Sequence, residues 1–153
     1  MTAAEKAAFV DFVATAGEVS AATLSGLVEN AAALVLLFDD DKLIGTAGIK
    51  VPFPGHQQGE FAKASVAARA NDFPLELGWV VVHPEYRKRG HAGELVLEAS
   101  RLAAGAGIYA TKKTPRMLAI LAENGFETIG EPYPSLLNPD VKLILLGKRG
   151  DST

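Results

Sequence analysis

Glu76 to Ala104 reads ELGWVVVHPEYRKRGHAGELVLEASRLAA, and the rest of the 153-residue chain is organised around this stretch. Leu77 to Val82 is an apolar, β-branched run with the length and composition of a buried strand. Pro84 ends it, because proline has no N–H to give to a ladder. Arg87, Lys88, Arg89 and Gly90 follow, and then Leu95, Val96, Ala99, Leu102 and Ala103 recur at helical spacing. The predicted order is strand, basic glycine-bearing turn, helix. Alternation along the strand puts Glu76, Gly78, Val80 and Val82 on one face, with Leu75, Leu77, Trp79 and Val81 on the other. Three cations in the first turn of a helix stand at the positive end of its dipole, disfavoured by roughly 0.3–1 kcal/mol each. The leading N–H groups there also lack intrahelical acceptors. A bound phosphate answers both; the alternative is a solvated turn that only joins strand to helix.

Composition narrows the class. Hydrophobic residues make up 48% of the chain and charged residues 22%, which is globular rather than disordered. The length fits one domain over residues 1–153. A net charge of −3 gives no general drive toward nucleic acid or an anionic membrane. Without cysteine there is no disulfide frame, thiolate metal site or cysteine nucleophile. Glu5, Lys6 and Asp11 interrupt what would be the apolar region of a signal peptide. The longest uncharged apolar run, Ala31 to Phe38, is too short to span a bilayer. A cytoplasmic protein is the expectation.

Outward from the central stretch, the remaining elements carry ordinary signals. Thr2 with Glu5 forms a capping-box pattern ahead of Phe9, Phe12, Val13 and Ala16, up to Gly17. Ser20 can cap a second helix bearing Leu24, Leu27, Val28 and Ala31. Leu34–Phe38 and Leu43–Lys50 read as a hairpin turning at Asp39-Asp40-Asp41, a solvated tip rather than a metal site, since no further ligands cluster nearby. Val51 to Phe73 is the least regular part, broken by Pro52, Pro54, Gly55 and Gly59, with a short helix open to Glu60–Arg69. Ile108–Ala110 is a short strand. Thr114 and Pro115 are an N-cap and a first helical proline, and that helix stops at Asn124-Gly125. Phe126–Gly130 and Val141–Leu146 read as closing strands separated by a Pro132-Tyr133-Pro134 loop. His56, His83 and His91 have no mutual metal-ligand spacing.

Arg87-Lys88-Arg89-Gly90-His91-Ala92 fits R/Q-x-x-G-x-G/A, and the chain resembles the GNAT family of N-acetyltransferases, which carry this signature between strand and helix. Ala119–Phe126, AILAENGF, is similar to the family's helix-ending LYxxxGF element. The resemblance implies an α/β (α+β) fold with a mixed, mostly antiparallel sheet flanked by helices. It implies acetyl-coenzyme A as acyl donor, with pantetheine along Val80, Val81 and Val82. The pyrophosphate would meet Arg87, Lys88, Arg89, Gly90, His91, Ala92 and Gly93, mostly through backbone. Thr114 stands where many relatives have a coenzyme A-binding asparagine. Lys112, Lys113 and Arg116 form a second basic group that could meet the 3′-phosphate, or be plain surface.

The implied chemistry is acetyl transfer to a primary amine attacking the thioester directly. Such an amine, of pKa about 10.4, is mostly protonated at pH 7, a penalty of roughly 4.6 kcal/mol. A general base recovers part of it, typically about 10²–10⁴-fold. Glu76, eleven positions before Arg87, is the candidate base, at the offset where histone-type members carry theirs. The alternative is a solvated or salt-bridged strand-end carboxylate. The family's usual acid, a tyrosine in the last helix, falls on Leu121 here. Tyr133 is the candidate substitute, solvent the alternative, and Tyr109 is read as packing. No metal, nucleic acid or membrane is called for, and the C-terminal strands could pair two subunits into a homodimer. A non-catalytic acyl-coenzyme A-binding domain is the second reading, and the amine acceptor is left open.

Overall fold

The N-terminal capping box forms as the sequence predicts in this computed structural model, which describes residues 1–16, 20–103, 105–112, 114–136 and 138–150. Thr2 Oγ1 accepts from Glu5 N at 3.1 Å while Thr2 N donates to Glu5 Oε1 at 2.9 Å. The helix so opened is α1 (Ala3–Thr15), and Ser20 caps α2 (Ala21–Glu29). Gly17, expected to end the first helix, and Lys113 lie outside the described residues.

The hairpin of β1 (Ala33–Asp39) and β2 (Lys42–Lys50) follows, then α3 (Pro54–Lys63) and a 3-10 turn at Ala67–Asp72. Here the structure corrects the sequence reading. The strand does end before Pro54, but the short helix left open to Glu60–Arg69 is α3 at Pro54–Lys63, with Pro54 in its first turn, where the missing N–H has no intrahelical partner to lose. β3 (Leu75–Val82), α4 (His91–Leu102), β4 (Ile108–Lys112) and α5 (Pro115–Glu123) match the expected order. β5 (Glu127–Pro134) and β6 (Lys142–Lys148) complete it. Tyr133 therefore lies in a strand, paired with Leu143, and not in a loop. The register of β5 against β6 shifts between Ile129 and Tyr133. Gly130, at φ +67, makes that bulge, and Glu131 N donates outside the ladder to Ala64 O at 2.9 Å. Two prolines fit in β5 because it ends the strand order and tolerates missing donors.

The six strands run in the order β1-β2-β3-β4-β6-β5. β3 and β4 are parallel; β1–β2, β4–β6 and β5–β6 are antiparallel. The fold is thus a mixed, mostly antiparallel sheet with helices. The chain divides into two compact units, each assembled from separate stretches. One comprises Met1–Lys50 and Leu77–Leu102, the other Val51–Glu76 and Ala103–Thr153. β3 gives Leu75 and Glu76 to the second and the rest of its length to the first.

In the first unit, Phe9, Val10 and Val13 of α1 and Leu24 and Val28 of α2 bury against Trp79, with Leu34, Leu36 and Val81 packed on them. Phe9 and Trp79 meet edge to face, ring centroids 5.7 Å apart. α4 buries Leu95, Val96 and Ala99. In the second unit, Phe61 and Ala64 of α3 pack with Phe73, Tyr109, Ile129, Tyr133 and Leu145. Leu121 is fully buried there, so the residue at the family's tyrosine position is a core side chain.

Trp79 holds φ +55 in the middle of β3. Trp79 and Val81 do reach the α1–α2 cluster, as alternation predicts, but through a left-handed residue that costs about 1–3 kcal/mol. Thr46, itself fully buried, donates its hydroxyl to Trp79 O at 2.8 Å and so holds the carbonyl of this left-handed residue.

Candidate functional site

Two features carry the chemistry-bearing residues, one in each unit. The first is the turn leading into α4. Lys88 at φ +64 and Gly90 at φ +84 are both left-handed, so the chain between β3 and α4 is tightly coiled. Arg87, Lys88 and Arg89 are all exposed on it. A Cβ added at Gly90 or Gly93 would meet nothing within 4 Å, so the backbone there is open to a ligand. His91 opens α4; its Nδ1 is buried without a hydrogen bond, with Glu94 Oε2 3.9 Å away. Open backbone at a helix start, three cations and an unsatisfied imidazole nitrogen fit an anionic group.

The three cations are not equivalent. Arg87 folds back, its Nε donating to Val82 O at 3.3 Å. Arg89 lies over the Tyr86 ring at 5.3 Å, and Lys42 of the β1–β2 hairpin approaches the same ring at 5.3 Å. Tyr86 is fixed by donating to Asp39 Oδ2 at 2.7 Å, a bond that raises its pKa above the usual tyrosine value. One carboxylate of the aspartate triplet thus serves the turn. Sequence reading passed over Tyr86, although it directly precedes the basic run. His83 is structural: its Nδ1 accepts from Glu85 N at 3.1 Å and caps the turn at Pro84–Tyr86.

Val80, Val81 and Val82 are half-buried at the end of β3. Val81, Val82, His83 and Arg87, with Phe12 and Thr15 of α1, line a cavity of about 450 Å³. Its walls are apolar along the strand and cationic at the turn.

The second feature is a cluster of two carboxylates and two tyrosines, of which Glu76, Tyr109 and Tyr133 are buried and Glu60 is half-buried. Glu76 and Tyr109 are register partners in the parallel β3–β4 pair, which places their side chains side by side. Tyr109 donates its hydroxyl to Glu76 Oε1 at 3.4 Å, long for an O–H···O bond and correspondingly weak. Tyr133 donates to Glu60 of α3 in a short bond. Burial first, then the neighbouring glutamates, push both phenols well above the ordinary tyrosine pKa. His56 Nε2 lies 3.9 Å from Glu76 Oε1, and Lys63 Nζ lies 3.8 Å from Glu60 Oε1.

Glu76 and Tyr133 are therefore both in this cluster, as buried groups rather than a solvated strand end and a loop residue. Glu60, His56 and Tyr109 are the members that sequence reading missed. Thr114 is in the same unit, where it caps α5 by accepting from Met117 N at 3.4 Å. Arg116 is exposed beside it. No metal-holding group of His, Asp and Glu occurs among the described residues, and no helix there is long and apolar enough to cross a membrane.

Similarity to known proteins follows the same lines. A coenzyme A complex of aminoglycoside 6′-N-acetyltransferase superposes with TM-score 0.68 at 16% identity, covering 99% of this chain and 94% of that one. Ribosomal-protein-S18-alanine N-acetyltransferase from Escherichia coli gives 0.70 at 14%, covering 100% and 92%. YncA from Salmonella typhimurium, with its cofactor acetyl-CoA, gives 0.71 at 13%, covering 100% and 92%. At such identities the likeness concerns the fold. Comparison with curated proteins gives no match. The model of the acetyltransferase (GNAT) family matches residues 6–126, most of the chain, and by that match the chain belongs to the GNAT family.

Proposed function

We propose that this protein moves the acetyl group of acetyl-coenzyme A to a primary amine, which attacks the thioester directly in a ternary complex. The observation that carries the reading is the turn at Arg87–Gly93, with its left-handed Lys88 and Gly90 and its open backbone at the start of α4. The backbone of Lys88 to Gly93 would hold the pyrophosphate, with Arg87, Lys88 and Arg89 supplying positive charge. Pantetheine would run beside Val80, Val81 and Val82, where the cavity offers apolar walls. Thr114, whose oxygen caps α5, would offer its hydroxyl as a donor to the cofactor.

Glu76 is the base in this reading. It is buried, and its bond from Tyr109 is long and weak enough to yield to an incoming amine. As the N–C bond forms and the C–S bond breaks, the proton leaves the amine for Glu76 and the thiolate departs. Tyr133 is a poor acid for that thiolate, since its pKa is raised and its hydroxyl is committed to Glu60. A thiolate is a modest base, and solvent protonates it.

The experiment is thiol release from acetyl-coenzyme A with a panel of amines: spermidine, kanamycin, lysine and a short peptide. Amine-dependent release that collapses in Glu76→Gln while acetyl-coenzyme A still binds is the expected result. Binding without release from any amine supports the second reading, a coenzyme A-binding domain without turnover, which the buried Leu121 favours.

A further inference from the structure

We infer that His56 is the residue through which Glu76 exchanges its proton with solvent, an inference that rests on Glu76 being the base. A base that takes a proton in each turnover must lose it before the next. Glu76 is only 8% exposed, so it needs an intermediary. Two groups approach its Oε1: the Tyr109 hydroxyl at 3.4 Å and His56 Nε2 at 3.9 Å.

Tyr109 cannot serve. Burial and the Glu76 charge hold its proton on, so its hydroxyl donates and does not carry a proton away at neutral pH. Of the other polar groups on α3 and the turn packed on it, Gln57, Glu60, Lys63 and Arg69 have contacts of their own. On α3, Glu60 accepts from Tyr133 of β5, and Lys63 sits against Glu60. Gln57 gives its amide to Ala70 O at 2.8 Å and Phe73 O at 2.5 Å. From the 3-10 turn packed on α3, Arg69 lies over the Phe73 ring at 5.8 Å and Asp72 is exposed.

His56 differs on both counts. Imidazole gains and loses a proton in the neutral range, and this side chain is 53% exposed. It stands 3.9 Å from the buried carboxylate at one end and is open to bulk water at the other. The step balances: protonated Glu76 gives its proton to the lone pair of neutral His56 Nε2, the imidazolium releases one proton to water, and Glu76 returns to carboxylate. The 3.9 Å gap closes by a side-chain shift of about 1 Å, or one solvent molecule bridges it. The placement follows from α3 beginning at Pro54, which puts His56 in the first helical turn.

His56 acts through Glu76, so its test needs readouts that a packing role would leave unmoved. The first is kinetic, using thiol release from acetyl-coenzyme A with the most active amine of the panel. His56→Ala and His56→Gln are each expected to lose about tenfold or more in kcat, less than loss of the base itself. The KM for acetyl-coenzyme A stays unchanged, and added imidazole restores His56→Ala. Equal rates in wild type and His56→Gln, or a loss that imidazole does not rescue, would overturn the inference and leave the acetyltransferase reading standing.

The second readout needs no turnover. The ¹⁵N resonances of the His56 ring are expected to move in Glu76→Gln while those of His83 and His91 hold still. Unmoved His56 resonances overturn the inference whatever the activity. Absence of amine-dependent release in the wild type, by contrast, counts against the acetyltransferase reading itself.

Discussion

The turn at Arg87–Gly93 and the cluster of Glu60, Glu76, Tyr109 and Tyr133 are built on opposite plans. The turn is contiguous, exposed and made largely of backbone, with Lys88 and Gly90 in left-handed conformation. The cluster draws one side chain each from α3, β3, β4 and β5, with Glu76, Tyr109 and Tyr133 buried and Glu60 half-buried. A backbone site depends on conformation and forgives side-chain exchange; a buried side-chain site forgives neither the loss of an oxygen nor of a proton. In the proposed reaction, binding belongs to the first plan and proton handling to the second.

The sharpest separation of the two is Glu76→Gln. It should cost about 10²–10⁴-fold in kcat, measured by thiol release, with acetyl-coenzyme A affinity unchanged by calorimetry. Retained turnover would remove the cluster from the reaction. Next comes Tyr133→Phe, which leaves the Glu60 carboxylate without its donor. Stability in denaturant titration should fall by about 1–3 kcal/mol. A neutral result would mean that Glu60 finds another partner at no cost.

Gly90→Val probes the other plan. A branched side chain at φ +84 is strained by about 1–2 kcal/mol, so acetyl-coenzyme A should bind about tenfold more weakly. Arg89→Ala, which spares the backbone, should weaken it less. The reverse order would show that side chains, not backbone, make this site.

The smallest effect is spectroscopic. All three tyrosines have raised pKa values, Tyr109 and Tyr133 chiefly through burial and Tyr86 through its bond to Asp39. The folded state then keeps protons that unfolded tyrosine loses near pH 10. The stability contributed by Tyr109 and Tyr133 is complete below about pH 10 and declines as pH rises above it. The Tyr109 and Tyr133 phenolates should therefore appear together with unfolding, not before it. Ionisation of all three at pH 10 in a folded protein would contradict the geometry of the cluster.

These two plans also explain what the sequence could disclose. The turn, its strand and its helix were legible because proline, the basic run, glycine and apolar spacing are all local signals. Thr114, Pro115 and Asn124-Gly125 marked α5 for the same reason. Trp79 gave no sign of its left-handed conformation, since glycine or asparagine would ordinarily mark such a position. Pro54 read as a breaker because a helix-starting proline looks the same as a loop proline until the following turn is seen. Pro132 and Pro134 hid the end of β5, because only an edge position and a bulge make room for them.

The cluster was illegible as a unit. Tyr109 read as packing, and it does pack, fully buried against Phe61 at a ring distance of 5.2 Å. Its hydroxyl contact with Glu76 depends on the register of a parallel pair, which no local pattern encodes. Glu60 and Tyr133 are 73 positions apart. His56 meets Glu76 only once α3 has formed and the α3–β4–β5 core has closed.

Titration calorimetry with acetyl-coenzyme A, in wild type and in Gly90→Val, bears most directly on the central claim that the Arg87–Gly93 turn holds the cofactor for acetyl transfer. Saturable binding is expected below millimolar concentration, weaker at high salt and about tenfold weaker in the variant. No binding at millimolar acetyl-coenzyme A, or equal affinity in both proteins, would contradict it.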